Sequence, residues 1–208
     1  MKFFDLFKKR KNNFFSQSGQ DQFAYNLSGL DGFYLEIGAH HPTINSNTYK
    51  LEKECNWKGI SIEYDKSFVA DWEMHPERKN KVIWDDAFSV DYYLLHKQIG
   101  APKRINYLSC DIDPTCNTFD VLKKIINEGI SFDFISFEHD DYFRKKYTND
   151  TNDYHNLAIN FLKKNNYKIA IDDVYPKNKS QNLFETWFIN NSIEFDITEY
   201  VVWKKLNL

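Results

Sequence analysis

The stretch FYLEIGAHHPTINSNT, Phe33 to Thr48, decides the fold. Its first five residues read as a buried strand, and the strand ends in a carboxylate followed by the small pair Gly38-Ala39. A strand running into such a turn is how nucleotide-binding α/β sheets begin. The glycine-rich loop that would cradle a pyrophosphate is missing, because His40, His41 and Pro42 occupy the expected glycine positions. Two adjacent histidines also invite a zinc reading. They point in different directions on one loop, and no cysteine or histidine sits at ligand spacing, so zinc is set aside.

Working outward, the flanking sequence alternates β-rich runs with helix-like stretches. A helix is expected from about Ser46 through Glu54, then a second strand, GISIE (Gly59 to Glu63), with Asp65 placed to cap the helix after that strand. KVIWDDA gives a third strand and a helix near Ser89 to Lys97. INYLSCDID gives a fourth, followed by a helix over Asn117 to Glu128. FDFISFEHD is a fifth, followed by a helix from Asp153 to Lys164. YKIAIDD is a sixth, and FDITEYVVWKK reads as a long final strand. Strands alternating with helices predict a doubly wound, mostly parallel α/β sheet of seven strands, closed by a carboxy-terminal antiparallel strand.

Composition agrees with one such domain over residues 16–208 after a short arm, residues 1–15. The 208-residue chain is 42% hydrophobic and 17% aromatic, enough for a real core. A net charge of -3 gives no bulk attraction for nucleic acid, so none is expected as a partner. No apolar run is long enough to span a bilayer. The arm, MKFFDLFKKRKNNFF, puts its basic run after its apolar patch and is not expected to be a signal peptide. It reads as an amphipathic helix on the domain, with weak peripheral membrane contact as the minor alternative. The three cysteines, Cys55, Cys110 and Cys116, read as reduced thiols in a cytoplasmic protein. The sequence does not give the oligomeric state.

In doubly wound sheets ligands bind beyond the carboxyl ends of the strands, so those ends carry the functional reading. Here they hold Glu36 to His41, Glu63 to Asp65, Asp85 to Ala87, Asp111 to Asp113 and Glu138 to Asp141. Glu63, with Tyr64 beside it, is placed to accept both hydroxyls of an adenosine ribose; the plainer reading is a helix-capping acid. Gly38 and Ala39 let the backbone approach a cofactor closely. Asp86, with Ala87, is placed to take the adenine amino group. The absence of a phosphate cradle favours S-adenosylmethionine over NAD as cofactor. Asp111 is then placed at the amino group of its methionine part, and Asp113 at the acceptor. Glu138, His139 and Asp111 are the candidate general bases. A divalent metal such as magnesium on Asp111, Asp113, Glu138 and His139 is the less favoured alternative, and a structural histidine is the plainer reading of His139.

The segments SQSGQD (Ser16 to Asp21), EIGAHHPTINSNT, WKGISIE, INYLSCDID and FISFEHD occur in an order that resembles the FkbM-type methyltransferases. The resemblance runs from about Ser16 to Asp141. It implies a class I, S-adenosylmethionine-dependent enzyme that methylates a hydroxyl, often of a sugar or glycan. By that resemblance Gly38, Ala39, His40 and Glu36 line the cofactor, and Gln17 and Asp21 fold over cofactor or substrate. Ser46 and Asn47 would cap the first helix near the site. The family often has Asp-Gly where this chain has His41-Pro42, a departure that bears on the loop's cofactor contacts; His41, Asp113, Asp140 and Tyr142 are the candidate residues on the acceptor side. Two other functions fit the same sheet. One is a nicotinamide-dependent oxidoreductase, for which Tyr142 and Lys146 have the right spacing but fall in a loop. The other is a catalytically silent binding module.

Overall fold

A computed structural model describes residues 15–147, 149–175 and 184–195. Most of the amino-terminal arm and of the expected final strand lie outside the described residues. The elements run α1 (Gln20–Ser28), β1 (Phe33–Ile37), α2 (Tyr49–Cys55), β2 (Lys58–Glu63), α3 (Val69–Glu73), β3 (Lys81–Trp84) and α4 (Tyr92–Gln98). They continue with β4 (Arg104–Cys110), α5 (Thr115–Asn127), β5 (Ser131–Glu138), α6 (Asp141–Tyr147), α7 (Tyr154–Lys164), β6 (Tyr167–Val174) and β7 (Glu185–Asn190).

The seven strands form one sheet in the order β3-β2-β1-β4-β5-β7-β6. β1 pairs in parallel with β2 and β4, β2 with β3, and β4 with β5. β7 runs antiparallel between β5 and β6. The chain therefore winds outward from β1 to β3 and then returns to β4. That reversal opens a crevice between the carboxyl ends of β1 and β4.

Both faces of the sheet are covered, which is why its strands read as unbroken apolar runs. On one face α5 buries Val121, Leu122 and Ile125, and α7 buries Ala158 and Leu162, against Leu35, Leu108 and Phe137. On the other, Phe23 of α1 and Leu51 of α2 pack with Tyr34, Trp57, Phe134 and Trp187. Phe134 stacks on Tyr107 at 4.8 Å, and Phe23 meets Phe134 and Trp187 at 4.7 and 4.8 Å. Each such aromatic contributes on the order of 2 kcal/mol by burial alone.

Several boundaries differ from the sequence expectation for local reasons. α2 starts at Tyr49 and not at Ser46, because the Ser46 hydroxyl accepts the Tyr49 amide at 3.1 Å and closes the preceding loop. α4 starts at Tyr92 because Asp91 accepts the Leu94 amide at 2.8 Å. Helix α1 has no counterpart among the expected elements. The seventh strand is Glu185–Asn190, upstream of the FDITEYVVWKK run expected as the last strand. The residues Tyr142 to Lys146, expected in a loop, belong to α6.

Candidate active site

The carboxyl ends of β1, β2, β4 and β5 open into a cavity of about 510 Å³, lined on its floor by Glu36, Gly38, Ala39, Glu63, Asp111 and Glu138. A second cavity of about 230 Å³ adjoins it, sharing Gly38, Tyr64, Ile112 and Asp113 and reaching Asp85, Asp86, Ala87 and Phe88 at the end of β3. Together they form an elongated cleft over the switch point, of the size that holds a small ligand.

Glu63 is held in place by its surroundings. One carboxylate oxygen accepts the His40 amide at 2.7 Å and the other accepts the Asp65 amide at 2.7 Å. Each oxygen keeps a further lone pair, so a fixed, buried carboxylate presents acceptors to the cleft. Gly38 has φ +79°, and a Cβ there would fall 1.7 Å from the Asp111 carbonyl oxygen. The glycine is thus demanded by the neighbouring strand end as well as by any ligand. Glu36 is buried and accepts from Thr48 Oγ1 at 2.9 Å and Ser61 Oγ at 2.6 Å. Burial pushes its carboxyl above the usual range, and Arg78, 3.8 Å away, opposes that shift.

Arg78 escaped the sequence reading. It is buried, bonds Glu52 at 2.8 Å and Thr48 Oγ1 at 2.9 Å, and lies 4.4 Å over the Trp72 ring. It also donates to the Pro42 carbonyl, so one guanidinium ties the histidine loop to α2. Nothing in its charged surroundings, His75 to Asn80, marks it as internal.

Asp111 and Glu138 face each other across the β4–β5 ends, close enough that each carboxyl shifts the other's proton. Burial pushes Asp111 up to about 6. Glu138 is raised further, by burial and then by the charge of Asp111. Near neutrality the pair therefore holds a proton that an ordinary carboxylate would have lost. Gln17, Gln20, Asn45 and Asn47 form the opposite wall, with Asn47 bonded to Ser109 at 2.9 Å. Gln20 donates to Glu185 at 2.6 Å, while Glu185 sits across from Glu138 in the β5–β7 pairing. Neither Gln20 nor Glu185 carried a signal in the sequence.

The cleft gathers Gln17, Glu36, Gly38, Ala39, His40, Glu63, Tyr64, Asp86, Ala87, Asp111, Asp113 and Glu138. Five other candidates do not line it. His139 is 1% exposed and its ring packs against His155 at 4.6 Å, because successive residues leaving β5 alternate sides. Burial, reinforced by His155, lowers its imidazole to about 4. His139 thus lies in the interior and does not line the cleft. Asp21 accepts from Ser16 Oγ at 2.6 Å and anchors the SQSGQD loop from below. His41 Nδ1 accepts the amides of Thr43 and Ile44 at 3.2 and 3.1 Å, so it builds its own turn. Asp140 and Tyr142 follow Glu138 at the end of β5 and do not line the cleft.

Comparison with solved structures places this fold. The chain is similar to a Methanococcus jannaschii fibrillarin pre-rRNA processing protein, with a TM-score of 0.55 and 16% identity over 85% of this chain and 78% of that one. It is similar to the amino-terminal domain of EvdMO1 in the presence of SAH and D-fucose, with a TM-score of 0.53 and 12% identity over 86% and 84%. It is also similar to Streptococcus pneumoniae Sp1610, ascribed tRNA (m1A22) methylation and in complex with S-adenosyl-L-methionine, with a TM-score of 0.53 and 9% identity over 91% and 78%. The fold is the Rossmann-like methyltransferase fold. No protein-family model and no curated protein sequence matches the chain. At these identities the likeness is one of architecture, and the site residues carry the chemistry.

Proposed function

We propose that the protein is an S-adenosylmethionine-dependent O-methyltransferase of FkbM type, acting on a hydroxyl of a small sugar or glycan. The observation that carries this reading is Glu63, a buried carboxylate fixed by two backbone amides, opening into the cleft at the switch point of a methyltransferase-type sheet. The residues present fit the cofactor. The loop after β1 has no glycine cradle for a pyrophosphate, and the floor is lined by carboxylates, which suits a cationic ligand without phosphates.

When bound, S-adenosylmethionine supplies an electrophilic methyl group for transfer to the acceptor oxygen. In this reading Glu63 accepts the ribose hydroxyls, and Asp86, Ala87 and Phe88 hold the adenine in the smaller cavity. Asp111 faces the amino group. The ionised carboxylate of the Asp111–Glu138 pair receives the acceptor proton, adding on the order of 10²–10⁴-fold to the larger effect of holding the reactants in line. The amides of Gln17, Gln20, Asn45 and Asn47 offer paired donors and acceptors suited to hydroxyl groups. No lysine or arginine lines either cavity among the described residues, which favours an uncharged acceptor over a nucleic acid.

Incubation with methyl-labelled cofactor and separate panels of sugars, polysaccharides and tRNA tests the acceptor. Alkali-stable label on carbohydrate is expected. Label on tRNA and none on carbohydrate would sink the reading.

A further inference from the structure

Outside the cleft, the chain brings together a second set of chemically active side chains that the proposed reaction does not use. Asp141 opens α6, while Asp153 and His155 stand at the start of α7. One ligand atom from each lies within 4.8 Å of the others. The cluster is a product of tertiary structure, because two separate helices contribute to it.

Each donor is also oriented. Asp153 accepts the Asn156 amide at 3.0 Å and the Asn156 side chain at 2.7 Å, which fixes the carboxylate and leaves further lone pairs on both oxygens. His155 Nε2 lies 2.7 Å from Asp172 Oδ1, and Asp172 in turn accepts from Thr186 Oγ1 at 2.9 Å. A carboxylate on one ring nitrogen is the arrangement that orients a metal-binding histidine and raises its basicity.

A buried polar group beside the cluster is a second observation. His139, 1% exposed, packs its ring 4.6 Å from that of His155, and its buried Nε2 has no hydrogen-bond partner among the described residues. Its other nitrogen accepts the Asp141 amide at 3.4 Å, so Nε2 carries the hydrogen. A water bound to an ion in the neighbouring cluster would give that hydrogen an acceptor. Lys145 now holds one Asp141 oxygen at 2.9 Å, but its side chain is 65% exposed and free to be displaced by a doubly charged ion.

We propose that Asp141, Asp153 and His155 form a binding site for one first-row divalent cation, zinc or manganese. Two carboxylates and an imidazole favour such an ion over magnesium, which prefers oxygen ligands and retains its waters. The bound ion ties α6 to α7 and steadies the chain as it leaves Glu138, so its role is structural support of the cleft wall.

The test is calorimetry and thermal melting of the full-length, untagged protein with zinc chloride, manganese chloride or magnesium chloride. Expected are one zinc or manganese per chain, a raised melting temperature, and binding at least ten-fold weaker for magnesium. His155→Gln and Asp153→Asn, both conservative at partly or fully exposed positions, are each expected to weaken binding at least ten-fold while melting like the parent in EDTA. Absence of zinc and manganese binding, or binding that either substitution leaves unchanged, overturns the proposal.

Discussion

At the residue scale the chemistry turns on carboxylates whose protons are displaced from their usual range. Asp111, pushed up to about 6 by burial, is neutral in part at mildly acidic pH. A cationic cofactor favours its ionised form. Cofactor affinity is therefore expected to rise several-fold from pH 5 to pH 7, in step with ionisation of Asp111, and then level off. Asp111→Asn should bind more weakly and show a flat profile, which titration calorimetry across that range would check. A parent profile that is itself flat would remove Asp111 from the cofactor site. The sequence made Glu63 and Asp111 legible because strand ends are where such sheets place ligands. It did not show that His139 lies off the cleft, because residue type alone does not say which side of a strand end a ring takes. Arg78 was invisible because an internal guanidinium surrounded by charged neighbours looks like a surface residue.

At the scale of elements, the β1–β4 junction and strand β7 matter most. A methyl at Gly38 would overlap the Asp111 carbonyl and also force a side chain onto φ +79°. Gly38→Ala is expected to lower the melting temperature by many degrees or to yield insoluble protein. A variant that melts like the parent would show that the strand ends can separate, contrary to this packing. Strand β7 carries Glu185, which burial raises to about 8 from an unfolded value near 4.5. Below pH ~4 the carboxyl is protonated in both states, so the burial has no pH-linked cost. Between ~4.5 and ~8 the unfolded chain releases the proton while the folded chain keeps it, so stability falls as pH rises. Glu185→Gln is accordingly expected to match the parent at pH 4 and to exceed it at pH 8, by on the order of a few kcal/mol. Denaturant melts at the two pH values measure this, and equal stability at pH 8 would refute it. The same strand shows why the sequence missed Glu185–Asn190 as a strand. Residues Glu185–Asn190 are buried throughout, so they show no alternation, and a buried glutamate breaks the apolar run. A carboxy-terminal antiparallel strand was nevertheless expected, and β7 runs antiparallel to both β5 and β6.

At the scale of the whole molecule, the alternation of strands and helices was enough to read a doubly wound sheet of seven strands. The reason is physical. Parallel strands covered on both faces must be apolar, and their crossovers must be helices. The order of strands was not legible, since periodicity carries no information about which edge a strand joins. That order puts the cleft between β1 and β4 and lets two adjoining cavities share Gly38, Tyr64, Ile112 and Asp113. The described part of the chain contains no helix long and apolar enough to cross a membrane. In the proposed function this cleft takes an adenosyl cofactor without phosphates. The most direct test is titration calorimetry of the purified chain with S-adenosylmethionine, S-adenosylhomocysteine and NAD, repeated on Glu63→Gln. Expected are one site per chain for both adenosyl ligands, binding at least ~10-fold weaker in the variant, about 1.4 kcal/mol or more, and no binding of NAD. Binding of NAD alone, or adenosyl binding that ignores Glu63, would contradict it.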